Sequence, residues 1–276
     1  MSRNQVNFII GAVCVFILLG FALAFHYISS QKDPSLTQAK AAIEASGPEI
    51  ITLGEGASVP LTASEPQDSG RLAQLFNLKT IGSSKKTVEA ITGKPVQANE
   101  FGMSEYELDG CNISVVYDGN KLKNIGLLLS PTCRVSLASF GIPNTEAGPN
   151  LTYGQIEEAL GAGSIRKFQA SCLIGCGNAA DPTVSALYAI DSNPNEPQPL
   201  EIQLETVQVG DTTLNAVEKW SKTLVDQEGE DWVTNGEYNC EDRYNYVAQQ
   251  LFNNVEVHAI TIGYDIATET CQSAAG

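Results

Sequence analysis

Hydrophobic and polar positions fall into three regimes along the chain. From Phe8 to Phe25 no charged or strongly polar side chain interrupts eighteen residues. From Ser29 to Gly70 large apolar residues are sparse; Leu36 to Ala45 is rich in helix formers, and Gly47-Pro48, Gly54, Gly56, Pro60, Pro66 and Gly70 break regular structure after it. This second stretch reads as a stalk over 29–70. From Arg71 onward apolar positions recur at the spacings of short helices and of half-buried strands.

The third regime opens with a pattern that occurs twice. Ser84, Val88, Ile91 and Gly93 mark a capped helix that ends at glycine, and Thr152, Gln155, Ile156, Leu160 and Gly161 repeat the layout 68 residues on. Each has a hydroxyl residue at the N-cap and a glycine nine positions later; Gln155 adds the second half of a capping box. Three strand-like runs follow the first helix, Glu105–Leu108, Asn112–Tyr117 and Leu122–Leu129, separated by the hairpin signals Asp109-Gly110 and Asp118-Gly119. Three more follow the second, Ile165–Ala170, Val184–Ile190 and Leu200–Val209. In the last of these Leu200, Ile202 and Leu204 alternate with Glu201, Gln203 and Glu205, which predicts one buried and one wet face.

The repeated S/T-x3-[VI]-x4-G layout followed by hairpins resembles the SmpA/OmlA outer-membrane lipoproteins of the barrel-assembly machinery and, in tandem, the beta-lactamase inhibitor protein fold. The resemblance spans about Phe76 to Val209. It implies an α+β protein of two tandem copies, each a short capped helix with an antiparallel meander, and a protein-binding module with no active site. No functional residue is carried over from it. The expected organisation is an N-terminal transmembrane anchor over 1–28, the stalk over 29–70, a first copy over 71–140, a second over 141–210 and a helix-helix-strand extension over 211–276. In that extension Leu214, Val217 and Leu224 are expected on one apolar face beside Trp220. A second helix from Cys240 to Phe252 is expected to present Tyr244, Val247 and Leu251, with a strand from Val255 to Tyr264 after it.

A helix of eighteen apolar residues, extended by His26, Tyr27 and Ile28, matches a bilayer core at about 1.5 Å per residue. Ala22-Leu23-Ala24 has the form of a signal-peptidase site, but the apolar run continues past it, so an uncleaved anchor spanning residues 6–28 is preferred. Cys14 follows Gly11-Ala12-Val13, which lacks a lipoprotein cleavage box. The chain is therefore expected in a bacterial inner membrane with its domain in the periplasm or outside the cell, or secreted if cut after Ala24.

Charge narrows the partners. All thirty-two acidic residues and all but one of the sixteen Lys and Arg lie beyond residue 28, which leaves the soluble part at −17. Such a charge argues against nucleic acid and anionic lipid as ligands; it reads first as a solvated acidic surface that keeps the domain soluble, and as to partners it favours a protein with a cationic surface. Glu201, Gln203 and Glu205 are the candidate interaction surface.

Beyond the apolar segment stand Cys111, Cys133, Cys172, Cys176, Cys240 and Cys271, an even count that an export signal turns into three disulfides with 15 formal connectivities. Proximity suggests Cys111 with Cys133, Cys172 with Cys176 and Cys240 with Cys271. No paired C-x2-C spacing supports a metal, and His258 is the only histidine past the membrane boundary.

Other chemical motifs fail on inspection. Ser83 to Lys86 matches S-x-x-K without the S-D-N and K-T-G partners of the penicillin-recognising serine enzymes, and reads as a helix cap. Asp191 to Asn195 starts like a calcium loop, but Glu196 replaces the required glycine and Ile202 the bidentate glutamate. His258 has no partner for a triad in the sequence. No metal, cofactor or catalytic residue is assigned. The function expected is a membrane-anchored extracytoplasmic protein-interaction domain, either a scaffold in envelope assembly or an inhibitor of a secreted enzyme. The alternatives are a sensory ectodomain with a ligand cleft lined by Trp220, Trp232 and tyrosines, and an unrecognised enzyme.

Overall fold

Two eight-residue helices carry the same local instructions in the computed structural model, which describes residues 70–99, 102–161, 163–176, 182–190, 198–266 and 268. The first of the pair, α2 (Lys85–Thr92), follows a five-residue helix α1 (Arg71–Leu75); the second is α3 (Tyr153–Leu160). Ser84 Oγ accepts the Thr87 N–H at 3.2 Å, and Thr152 Oγ1 accepts that of Gln155 at 3.3 Å while Gln155 Oε1 accepts the Thr152 N–H at 2.9 Å. Gly93 and Gly161 end the helices at the same positive φ of 85°, returning their N–H groups to Glu89 O and Glu157 O. Val88 and Ile156 are the buried anchors of the two helices.

The apolar segment Phe8–Phe25, the stalk up to Ser69, the loop Asp191–Asn195 and Cys271 lie outside the described residues. Among the described residues no helix is long and apolar enough to cross a membrane.

The fold is α+β, with one antiparallel sheet of eight strands. Its strands in chain order are β1 (Gln97–Ala98), β2 (Met103–Leu108), β3 (Cys111–Asp118), β4 (Lys121–Leu128), then β7 (Ile165–Ala170), β8 (Thr183–Ile190), β9 (Leu200–Val207) and β10 (Ala259–Gly263). A separate two-stranded ribbon joins β5 (Val135–Ser136) to β6 (Glu146–Ala147). Asp109-Gly110 makes the β2–β3 connection with φ of 54° and 80°, the pair of positive angles that a type I′ hairpin demands.

Across the large sheet the order is β1-β2-β3-β4-β10-β9-β8-β7. Strand β10, expected as the end of a C-terminal extension, is the seam between the two meanders. It pairs antiparallel with β4 on one side and β9 on the other. The residue row Tyr106, Ile113, Leu127, Ile260, Leu204, Ala186 and Phe168 runs across the sheet through directly opposed residues and is buried at every position. Directly opposed residues in a sheet point to the same side, so one continuous core face serves both meanders.

That geometry qualifies the repeat read from the sequence. Both meanders run inward to β10 from opposite edges, and β4 and β9, each antiparallel to β10, are parallel to one another. A rotation carrying one meander onto the other would turn its buried face to the far side of the sheet. The two units share caps, helix length and hairpins, but not hand.

Helices α4 (Asp211–Glu228), α5 (Glu230–Thr234) and α6 (Asn245–Phe252) complete the core layer. Trp220 of α4 and Phe252 of α6 pack on Phe168 with ring centroids 5.6 and 5.1 Å away. The buried face of α4 is Thr213, Ala216, Val217, Trp220, Ser221 and Leu224, and Leu214 stays 49% exposed, one position off the face expected for it. In the following segment two 3-10 turns, Glu237–Cys240 and Asp242–Tyr244, precede a shorter helix than expected. There Tyr244, Ala248 and Phe252 are buried, while Val247 and Leu251 are only partly so.

Those turns close the sheet edge. Asn245 Oδ1 accepts the Phe168 N–H at 2.8 Å, Asn239 Oδ1 accepts that of Ala170 at 3.0 Å, and Asn239 Nδ2 donates to Ala170 O at 2.9 Å. Two side-chain amides thus stand in for the next strand along β7, a protection that edge strands need against pairing with another chain.

Candidate interaction face

The sheet has a second face, and the described helices contribute their buried side chains to the core cluster on the first. Three rows of opposed residues define the second. The first runs Met103, Val116, Asn124, Gly263, Glu201, Ala189. The next runs Glu105, Ser114, Gly126, Thr261, Gln203, Leu187, Lys167. The third holds Glu107 and Asn112 on one side, and Leu128, Ala259, Glu205, Ser185 and Gln169 on the other.

Alternation in β9 places Glu201, Gln203 and Glu205 together on this face, as the sequence predicts. They are half-buried, not freely solvated. Glu201 Oε2 accepts the Ile266 N–H at 3.0 Å and so holds the chain as it leaves β10. The most exposed carboxylates of the face are Glu105 and Glu107, which the sequence reading placed in a strand without assigning them to a surface. Their signal was present in the alternation with buried Tyr106 and Leu108. Along these three rows Glu105, Glu107, Glu201 and Glu205 stand against a single base, Lys167.

Burial raises the Glu205 carboxyl above the ordinary 4.5 of a glutamate. The native state therefore keeps this proton to higher pH than the unfolded chain does. Its contribution to stability is complete below the unfolded value and is lost as pH rises through the native one. Glu205→Gln is thus expected to raise the urea midpoint at pH 7, the gain shrinking as pH falls through the raised native value and vanishing below the ordinary 4.5. A pH series of urea melts checks this; a gain that persists unchanged in acid would assign it to packing.

The centre of the face is built from small residues. An ideal Cβ on Gly126 would lie 2.2 Å from Ser114 Oγ and 3.2 Å from Thr261 Oγ1, and one on Gly263 would lie 2.2 Å from Asn124 Oδ1. Polar atoms of three neighbours thus occupy the space that side chains at the two glycines would fill. Asn124 is 6% exposed, and its Oδ1 has no hydrogen-bond partner among the described residues.

The remaining residues singled out in the sequence have structural places. Cys111 is bonded to Cys133 and Cys172 to Cys176, as proximity suggests. Cys240 is also disulfide-bonded, while Cys271, its expected partner, is outside the described residues. The helix cap is Ser84, while the serine of the S-x-x-K match is its neighbour Ser83, whose Oγ is buried without a hydrogen-bond partner among the described residues; Lys86 is exposed. His258 Nδ1 accepts the Val207 N–H at 3.0 Å and lies 3.1 Å from Thr206 Oγ1, so the ring ties the end of β9 to the residue before β10. Trp220 is 1% exposed inside the aromatic cluster, and Trp232 packs edge-on to Tyr238 and Tyr244. Among the described residues no group of three or more His, Cys, Asp or Glu is placed to hold a metal ion.

No known family's sequence profile matches the chain. No curated protein matches it either. Among solved structures it is similar to an extracellular protein containing a SCP domain from Bacillus anthracis str. Ames, at 10% identity and a TM-score of 0.29, over 78% of this chain and 50% of that one. The chain thus spans half the length of that protein.

Proposed function

We propose that the chain is a membrane-anchored extracytoplasmic binding protein, without catalytic activity, whose second sheet face docks a cationic surface of another protein. The observation that carries this reading is the face itself, where four carboxylates and one lysine lie along three rows of a sheet whose other side holds the core. Charge complementarity of this kind speeds encounter and selects partners more than it adds affinity. Two disulfides among the described residues fit an oxidising compartment. The apolar segment Phe8–Phe25 supplies the tether, and the resemblance of the capped-helix-and-hairpin motif to SmpA/OmlA modules, a matter of sequence layout, is the ground for reading a scaffold or an inhibitor.

The test uses the two carboxylates with the fewest structural duties. Glu105→Lys with Glu107→Lys is expected to leave the unfolding free energy from urea melts within about 0.5 kcal/mol of the parent. In the native envelope the same substitution should remove the proteins that crosslink to the full-length chain at low salt. Crosslinking that persists unaltered, with the same salt dependence, would place the docking surface elsewhere.

A further inference from the structure

On the footing that the chain is membrane-anchored, we propose that a patch of four lysines at one end of the sheet rests the domain on anionic headgroups of the bilayer that tethers it. The acidic total of the chain conceals an uneven distribution. Residues 71–140 carry eight Lys and Arg against six Asp and Glu, a net of +2, whereas residues 141–276 carry five against twenty, a net of −15. Within the first stretch the fold gathers cations. The segment that leads into α2 lies beside the β3–β4 hairpin. Gly82 N–H donates to Leu122 O at 2.8 Å, Leu122 N–H to Ser83 O at 2.8 Å and Lys85 N–H to Asn120 O at 3.0 Å, with Ser84 opposite Lys121. Ser83 N–H donates in turn to Thr80 O at 3.0 Å, which brings up the 3-10 turn Leu78–Thr80. Lys79, Lys86 and Lys121 are exposed, and Lys85 is half-buried with its Nζ 5.6 Å from the centre of the Tyr117 ring. Against them stand Asp118, opposite Lys121, and Asp265, which pairs with Lys123 at 2.8 Å.

The chemistry of the patch favours lipid over an acidic protein. All four cations are lysines, compact charges on flexible stems that suit a mobile headgroup layer, whereas recognition of fixed carboxylates is the work of arginine forks. Leu78, 41% exposed beside Lys79, supplies an apolar side chain of the kind that interfacial patches insert among headgroups. Helix α2 opens on Lys85 and Lys86 with no acid in its first turn, the end of a helix at which cations are disfavoured. An anionic surface against that end turns the repulsion into attraction. The tether keeps the patch near one bilayer at high effective concentration, so a contact too weak to recruit a free domain is populated. The acidic remainder opposes this only where it comes within a Debye length of the headgroups, about 8 Å, while the lysines act at contact.

The experiment reconstitutes the full-length chain, one copy per lipid nanodisc, in phosphatidylcholine alone or with phosphatidylglycerol added. Acetylation of each lysine by a water-soluble ester is followed by mass spectrometry. Lys79, Lys85, Lys86 and Lys121 are expected to react about fivefold more slowly in the anionic discs, the factor that one lysine's attraction to such a surface supplies. Exposed Lys219 of α4 should react alike in both, and added salt should return the patch to its rate in neutral discs. Lys86→Glu with Lys121→Gln, at two exposed positions, should abolish the protection of Lys79 and Lys85 and leave the urea midpoint unchanged. Patch rates equal in the two lipids overturn the contact and leave the anchor standing. A slowing that Lys219 shares in full also overturns it, as an effect of the surface on the amine chemistry. Protection that arises in neutral discs once two copies share a disc would assign the lysines to a second copy and not to lipid. Failure of the chain to enter discs overturns the anchor and the contact together.

Discussion

Ile260→Asp is expected to unfold the whole described region in one step. Ile260 is the middle member of the buried row, opposed by Leu127 in β4 and Leu204 in β9, and is 1% exposed. An aspartate there places an unpaired carboxylate between two leucines, a cost of several kcal/mol against a total stability of about 5–15 kcal/mol. Both meanders depend on this strand for their inner neighbour, so neither keeps a complete sheet when it leaves. Val88→Asp and Ile156→Asp act on the same core from its helical side and are expected to behave alike. Circular dichroism during urea or thermal unfolding should show no cooperative transition for Ile260→Asp at 25 °C. Survival of one meander, seen as a residual second transition, would mean that the halves are independent and that β10 is an ornament to one of them.

Loss of the Cys111–Cys133 bridge should be the next most damaging change. Cys111 opens β3 and Cys133 lies two residues before β5, so the bond ties the large sheet to the β5–β6 ribbon, and both cysteines are buried. With 22 residues of separation, the chain-entropy relation gives about 3 kcal/mol, whereas the four-residue separation of Cys172 and Cys176 gives about 2 kcal/mol. Paired alanine substitutions at Cys111 and Cys133 are therefore expected to lower the urea midpoint more than those at Cys172 and Cys176. Equal losses would show that loop closure is not what these bonds contribute.

The elements of this protein were legible because each is specified by neighbours in the chain. Ser84 and Thr152 cap within three residues, Gly93 and Gly161 terminate by their own backbone freedom, and Asp109-Gly110 closes a hairpin through its own φ angles. Alternation alone assigned Glu201, Gln203 and Glu205 to the side opposite Leu200, Ile202 and Leu204, since a strand's period is two. Nearest-neighbour spacing was enough for the Cys111–Cys133 and Cys172–Cys176 bonds.

What required the tertiary structure is the order of strands across the sheet. Sequence adjacency suggests that β4 and β9 end separate copies, yet β10 enters from fifty residues downstream and makes the two meanders one sheet of opposite-handed halves. No local pattern encodes that choice, because an apolar run such as Ala259–Gly263 predicts a buried strand without saying which strands it pairs with or on how many sides. The helix faces shifted for the same reason. Leu214 is apolar but lies beyond the layer that Trp220 and Leu224 reach, and which stripe of α4 is buried was settled by Phe168 and Phe252, residues from other elements. The small-residue centre of the second face, at Gly126 and Gly263, is likewise a product of register. Ser114, Asn124 and Thr261 come from three strands, and only the pairing of β3, β4 and β10 sets their polar atoms over two glycines.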